Sequence, residues 1–289
     1  MDASNCVISI IMPCFNHGKY IHEALTSIKK EEILYPYEVI IVDDGSTDMD
    51  TLATLEELKN QGYNIIHQKN AGPAAARNKA IENSKGKYIL PLDSDNKLTS
   101  EYINTGVAVL EKGECQIVYC TPFFFGDVNA GARKFKSQPF DIIELLAANY
   151  IDSCALFLKE VWMKNKGFDT GLPYYGHEDW EFWINAYSNG FKFCFLKKNL
   201  FYYRIVNNSE ADKFKDNKKS DENHQYILKK HAHLFLTQYL KLSYLRRKYM
   251  ADINRFIFSP FIFSGYKLNL LKSPFKKAEE KFDRNSNEK

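Results

Sequence analysis

Short apolar runs and helix-spaced apolar positions alternate along the first third of the chain. Val7–Met12 is an apolar run of buried-strand type ended by Pro13, and over Tyr20–Lys30 the residues Ile21, Ala24, Leu25 and Ile28 share one helical face. The β-branched run Glu38–Val42 predicts a second strand, and Thr51–Asn60 an amphipathic helix with Leu52, Leu55 and Leu58 turned inward. Asn64–His67 reads as a third short strand, Ala74–Ser84 as a helix and Tyr88–Leu92 as a further strand. Strands alternating with helices of about 10–15 residues imply βαβ units, and right-handed crossovers make the sheet mostly parallel. The predicted class is α/β: a mostly parallel, Rossmann-like sheet flanked by helices.

Beyond residue 98 the pattern loosens. Helices are expected at Ser100–Glu111 and near 140–149, 159–165 and 178–189, with a strand at Gln116–Tyr119 and a Gly-rich loop at 126–133. No break in composition separates this stretch from the first half, so residues 1–206 are expected to form one domain with halves 1–97 and 98–206. After 207 the character changes: a charged stretch (Asn207–Asn223), a basic helical segment (Tyr226–Lys248), an aromatic run (Phe256–Tyr266) and a charged tail. Residues 207–289 therefore read as a helical basic C-terminal extension.

Composition narrows the class of protein. A chain of 289 residues, 45% hydrophobic and 26% charged, can bury an ordinary core. Its formal net charge of +3 is too small to indicate a nucleic-acid partner, although acidic residues dominate 31–57 and basic ones cluster after 190. The six cysteines show no paired metal spacing, and five sit beside apolar or aromatic residues. Reduced thiols and a cytosolic protein are expected on that ground. The first twenty residues lack a leader-like pattern, and no run approaches the roughly 20 apolar residues that span a bilayer. The expected location is the cytoplasm.

An open α/β sheet binds its ligand beyond the carboxyl ends of its strands. The polar clusters Asn16-His17-Gly18, Asp43-Asp44-Gly45-Ser46 and Asp93-Ser94-Asp95-Asn96 all fall there. Two carboxylates on one loop, Asp93 and Asp95, can hold a hard divalent cation while leaving positions for phosphate and water; the same residue types also favour turns after strands. Asp43 and Asp44 can accept from a base N–H and ribose hydroxyls, while Ser46 or Asp48 would cap the next helix. The small residues of Asn70-Ala71-Gly72-Pro73-Ala74-Ala75-Ala76 let a phosphate approach a helix start and bring Arg77 towards the same crevice.

Four ordered segments together resemble family 2 glycosyltransferases, which have the GT-A fold. They are Val7–Asn16, Glu38–Asp48, Asn70-Ala71-Gly72 with Ala76-Arg77-Asn78, and Gly86–Asn96. The resemblance covers roughly residues 6–206. It implies an inverting transferase using a nucleotide-diphosphate sugar, commonly a UDP-sugar, with Mn²⁺ or Mg²⁺. By position, Pro13, Phe15, Asp43 and Asp44 would hold the base and ribose, and Asn70 and Arg77 would lie near the nucleotide. Asp93 would contact the ribose or the metal's water shell, Ser94 the donor sugar, and Asp95 would ligate the metal. The family often has Thr-Tyr where Cys14-Phe15 stand and Asp where Asn96 stands; these departures bear on base recognition and leave Asp95 in place.

In the second half, Gly176-His177-Glu178-Asp179-Trp180-Glu181-Phe182-Trp183 resembles the family's acceptor-side motif, which makes Asp179 the general base. Inversion requires a carboxylate opposite the leaving diphosphate to take the acceptor hydroxyl proton as that oxygen attacks the anomeric carbon. Glu178 is the rival base, better suited to orienting sugar hydroxyls, and Glu181 reads as a first-turn acid complementing the helix dipole. Trp180 and Trp183 suit packing on sugar faces, although at spacing i,i+3 one of them is expected to enter the core. Tyr202-Tyr203-Arg204, followed by Asn208-Ser209, resembles a segment near the donor diphosphate, making Arg204 a candidate phosphate ligand.

The processive synthases of this fold usually carry Gln-x-x-Arg-Trp and membrane helices, and neither occurs here, so single addition to a glycan or lipid-linked saccharide acceptor is expected. Two rival readings are a sugar-nucleotidyltransferase and a catalytically silent glycan-binding module. The first calls for a Gly-rich basic loop after the first strand, where Pro13-Cys14-Phe15-Asn16 stands; the second calls for loss of Asp95 or Asp179, and both remain. The mixed apolar and basic stretch Leu240–Lys248 and the aromatics after it suit a cap on the domain or a dimer contact, and also peripheral contact with the inner membrane face.

Overall fold

A computed structural model describes residues 7–127, 135–206 and 217–257. The strands are β1 (Ile8–Cys14), β2 (Tyr37–Asp43), β3 (Asn64–His67), β4 (Tyr88–Pro91), β5 (Lys97–Leu98), β6 (Ile117–Gly126), β7 (Leu156–Leu158) and β8 (Phe193–Ile205). The helices are α1 (Gly18–Thr26), α2 (Met49–Asn60), α3 (Pro73–Glu82), α4 (Ser100–Glu111), α5 (Ile142–Ala147), α6 (Lys159–Asn165), α7 (Glu178–Ser188), α8 (Asn217–Lys230) and α9 (Ala232–Ile257).

One sheet orders the strands β3-β2-β1-β4-β7-β6-β8-β5. The first four are parallel neighbours; β7 pairs antiparallel with β4 and β6, and β8 runs parallel to β6 and antiparallel to β5. Side-chain alternation divides the core. Ile8, Ile10 and Met12 of β1 join the layer of Leu25, Leu55, Tyr102 and Val107, while Ile11 joins Ala76, Ile81, Phe157, Phe182 and Trp183 on the other face.

Pro13 does not end the first strand as the sequence suggested. β4 leaves β1 after Ile11, so Pro13 occupies a stretch with a strand neighbour on one side only, where a missing N–H breaks no ladder on the other. The start of β4 depends on a close approach. The buried Ser9 hydroxyl donates to Glu38 Oε1 at 2.6 Å and accepts from the Gly86 N–H at 2.8 Å, and a Cβ at Gly86 would lie 2.5 Å from Ser9 N. Glycine at 86 is a packing requirement.

Two expectations are corrected. The strand expected at Gln116–Tyr119 continues to Gly126, against a long partner, β8, that periodicity alone did not show. Lys197-Lys198-Asn199 interrupts the apolar pattern of β8, and the β6–β8 register shifts between Cys120 and Pro122. The thiols are not all reduced: Cys115 and Cys194, 79 positions apart, are bonded with Cα atoms 5.9 Å apart, whereas Cys14, Cys120 and Cys154 are free and buried. The partners begin neighbouring strands, which no sequence spacing signals. The disulfide removes the thiol argument for a reducing compartment.

Met1–Leu236 forms one compact unit and Thr237–Lys289 a second. The first unit thus runs past residue 206 and takes in α8. No helix among the described residues is long and apolar enough to cross a membrane. Asn208, Ser209, most of the Phe256–Tyr266 run and the charged tail lie outside the described residues.

Candidate active site

The parallel strands deliver their loops to one edge. β1 ends in Pro13 and the exposed Phe15; β2 ends in Asp43 and Asp44; β3 leads to Asn70; β4 leads to Asp93, Ser94 and Asp95. From the other half, the start of α7 brings Glu178 and Asp179, and the end of β8 brings Arg204.

The two acids of β2 are occupied by the loops around them. Asp43 Oδ1 accepts from the Ser46 N–H at 2.9 Å and Oδ2 lies 3.0 Å from His67 Nδ1. Asp44 accepts from Gln68 Nε2 (2.7 Å), Ala71 N (2.9 Å) and Gly72 N (2.8 Å), so it builds the loop that begins α3. Gly72, at φ 87°, turns under Tyr175; a Cβ there would meet that ring at 2.3 Å. Phe15 and Asn70 stay exposed at the rim.

Arg77, 4% exposed, bridges the two halves: Nη2 donates to Asp93 Oδ1 at 2.7 Å and Nη1 to Glu178 Oε1 at 2.8 Å. Both carboxylates hold the guanidinium protonated against a burial penalty that acts the other way. Its Nε is buried without a hydrogen-bond partner among the described residues. Glu178 spends its second oxygen on the Gly176 N–H at 2.7 Å.

Asp179 differs from its neighbour. Oδ1 accepts from the Trp180 N–H at 2.7 Å and Oδ2 from Asn149 Nδ2 at 3.0 Å. Burial, and after it the charges of Glu178 and Asp152, push its carboxyl well above the usual range. Glu178 is thus paired with a guanidinium, whereas Asp179 sits among like charges and holds its proton more tightly than an ordinary carboxyl.

Asp95 is pushed up to about 7 by burial and then by Asp93. Arg204 secures this loop: its backbone N–H donates to Asn96 Oδ1 at 2.8 Å and its Nε to the Asp95 carbonyl at 2.9 Å. It also pairs with Glu23 and stacks on Tyr20 and Phe125, 4.4 and 4.3 Å from the ring centres. Ser94 is buried with its hydroxyl towards the Cys14 thiol. Trp180 and Trp183 both belong to the core, their indole N–H groups donating to the Leu145 and Ile151 carbonyls.

With this geometry, a sequence model described as Glycosyl transferase family 2 matches residues 9–164. The chain belongs to glycosyl transferase family 2. Among its relatives is the putative teichuronic acid biosynthesis glycosyltransferase TuaG of Bacillus subtilis strain 168, 27% identical over 220 residues that cover 74% of this chain and 85% of that protein. The poly(ribitol-phosphate) β-N-acetylglucosaminyltransferase TarS of Staphylococcus aureus is 25% identical over 209 residues, 70% of this chain and 36% of that one. The crystal structure of S. aureus TarS 1–349 superposes with a TM-score of 0.56 at 23% identity, covering 68% of this chain and 60% of that chain. The mannosyltransferase PcManGT from Pyrobaculum calidifontis, solved with GDP-Man and Mn²⁺, gives 0.53 at 19% identity, covering 72% and 60%. This chain therefore spans less than two thirds of either solved chain. The likeness is one of fold, and the family 2 fold is the GT-A architecture that the motifs implied.

Several residues that the structure brings to these carboxyls were not singled out in the sequence. Asn149, Asp152 and Ser153 approach Asp179 and Asp93 from the irregular stretch before β7. The available signal was a polar Asp-Ser pair set between Ile151 and the apolar run into β7. Glu181 is a buried anchor for α8: fully inaccessible, its Oε1 lies 2.8 Å from His231 Nε2 and 2.9 Å from Lys230 Nζ.

Proposed function

We propose that this chain transfers one hexose or N-acetylhexosamine from a UDP-sugar to a glycan or lipid-linked saccharide, with inversion, in the synthesis of a surface polysaccharide. The observation that carries the reading is the Arg77 bridge. It ties Asp93 on the donor side to Glu178 on the acceptor side and so holds Asp179 beside the donor loop. Relatives named for teichuronic acid and poly(ribitol-phosphate) glycosylation, and TarS solved with UDP-GlcNAc, support the donor and acceptor classes.

In this reading Asp179 takes the proton of the acceptor hydroxyl as its oxygen bonds to the anomeric carbon. The bond from that carbon to the diphosphate breaks on the opposite face, and the diphosphate leaves with the electron pair. Pro13, Phe15, Asp43 and Asn70 frame the nucleoside, Ser94 lies under the sugar, and Arg204 steadies the loop that faces the diphosphate.

Among the described residues no three His, Cys, Asp or Glu side chains gather into a metal cage. Asp95 nevertheless fits a Mn²⁺ or Mg²⁺ held by one carboxylate, waters and substrate phosphates, because burial and the neighbouring Asp93 raise its carboxyl and a bound cation would offset both. Asp95 would be the protein ligand, and the ion when bound supplies positive charge to the leaving diphosphate. Peripheral contact with the inner membrane face belongs to the same reading; exposed Tyr239, Leu240 and Tyr244 beside Lys241 are the residues it would use.

The test is UDP release from a panel of UDP-sugars, with and without Mn²⁺ or Mg²⁺, for wild type, Asp95→Ala and Asp179→Asn. Metal-dependent turnover of one donor that falls in both variants is the expected result. Glycan binding without turnover or binding of any sugar nucleotide overturns the reading in favour of a silent module.

A further inference from the structure

The segment from Asn149 to Cys154 is fastened at almost every residue. Asn149 Nδ2 donates to Asp179, the Ile151 N–H donates to Asn149 Oδ1 at 3.1 Å, and the Ile151 carbonyl accepts from Trp183 Nε1 at 3.0 Å. The Ser153 hydroxyl reaches Asp93 Oδ2 at 3.3 Å, and the Cys154 carbonyl accepts from the buried Tyr102 hydroxyl at 2.7 Å. The segment is therefore fastened to the candidate base at one end and to the donor loop at the other.

Asp152 sits in the middle of it. One oxygen, Oδ1, accepts from the Cys154 N–H at 2.8 Å; the other has no partner among the described residues. The half-buried side chain lies within the electrostatic reach of Asp93, Asp95, Asp179 and Arg77. Burial and then Asp93 push its carboxyl up to about 7. A turn that needs one acceptor is served equally by Asn or Ser, without a carboxyl held among like charges. The second oxygen, left unspent inside a fastened segment, is open to a donor that arrives with the ligand.

A complementary group faces the same carboxyls. The phenol of Tyr203, its ring packed edge-on against Phe124 and Phe135, lies within the electrostatic reach of Asp152, Asp93, Asp95 and Asp179. It stays protonated, pushed up by burial and by those acids, and its hydroxyl has no hydrogen-bond partner among the described residues. An acceptor on a fastened segment and a donor on a packed ring, both unspent among the described residues, match the two-way hydrogen bonding of a sugar hydroxyl.

We propose that Asp152 is the specificity-determining residue for the transferred sugar, its free oxygen accepting a hydrogen bond from a ring hydroxyl of the donor hexose, with the Tyr203 phenol as that hydroxyl's second partner. The inference rests on the UDP-sugar reading above. It concerns the sugar alone, since β1, β2 and β3, whose loops are assigned to the nucleoside, lie on one side of β4 and the Asn149–Cys154 segment leads into β7 on the other.

Titration of UDP, UDP-glucose, UDP-galactose and UDP-GlcNAc against wild type, Asp152→Asn and Asp152→Ala tests it. Asp152→Asn keeps an oxygen for the Cys154 turn, so it separates the sugar contact from the fold. UDP affinity is expected to stay within about twofold, while affinity for the preferred UDP-sugar falls about 10- to 100-fold and discrimination among the sugars collapses. A deoxy donor lacking the contacted hydroxyl should lose that factor on wild type and nothing further on the variant. Variants that keep the wild-type ratio of UDP-sugar to UDP affinity overturn the inference and leave the donor class standing. A wild type that binds neither UDP nor any of the UDP-sugars overturns both.

Discussion

Arg77 is enclosed between two carboxylates and has no solvent to retreat to. Removing it strands Asp93 and Glu178, so Arg77→Ala is expected to cost about 3–5 kcal/mol in chemical denaturation, and Arg77→Lys to restore little because one ammonium cannot serve both partners in the fork geometry. Asp179 gives a kinetic prediction. Asp179→Asn should lower turnover by about 10²- to 10⁴-fold while UDP affinity is kept. A general base works unprotonated, and this carboxyl is held well above its ordinary value, so the wild-type rate should climb as pH rises through that raised value. A pH–rate profile flat on its acid side would remove Asp179 from the role. At this scale the sequence was informative about which residue types stand where. It did not show that Asp44 is spent on the Ala71–Gly72 loop, nor that Arg77 is spent on carboxylates, because hydrogen-bond partners far apart in the chain leave no spacing to read.

The elements that carry these side chains are held by contacts equally distant in sequence. Gly72 begins α3 with a positive φ beneath the Tyr175 ring. Gly72→Ala should cost at least about 1–2 kcal/mol from the backbone alone, and a Tyr175→Ala background should recover only the steric part; full recovery would mean that the φ constraint is negligible. α7 is clamped to α8 by Glu181, whose contact with Lys230 and His231 joins the catalytic-side helix to a segment that composition assigned elsewhere. Chains ending at 206 and at 236 distinguish the two boundaries: the longer is expected to keep a cooperative melt, and the shorter to lose it because α8 no longer covers α7. Most helices were legible, Ser100–Glu111 to the residue, because their apolar spacing is a local property. β8 was not, because a strand crossing from core to edge carries charged residues in its own middle.

At the scale of the whole molecule, the candidate site gathers more carboxyls than cations to balance them among the described residues. Asp95 and Asp152 are both raised from 3.8 to about 7. Groups raised in the folded state bind protons more tightly there than in the unfolded chain, so the stabilisation they supply is complete below about pH 4 and is lost as pH rises through 7. With metal chelated, the melting temperature should carry a downward component across that window, and Asp152→Asn should flatten it; an unchanged slope would count against the raised value. The sequence by itself determined the parallel αβ first half, the edge at which its ligand loops collect and the family, because strand and helix periodicity and ordered motifs are written in neighbouring residues. Only the tertiary structure decided the Arg77 bridge, the Cys115–Cys194 bond, the burial of Trp180 and Trp183, and the bringing of Asp152 and Tyr203 within electrostatic reach of Asp179. Each of these joins residues separated by a strand crossover or more, and such contacts exist only once the sheet has brought the two halves together.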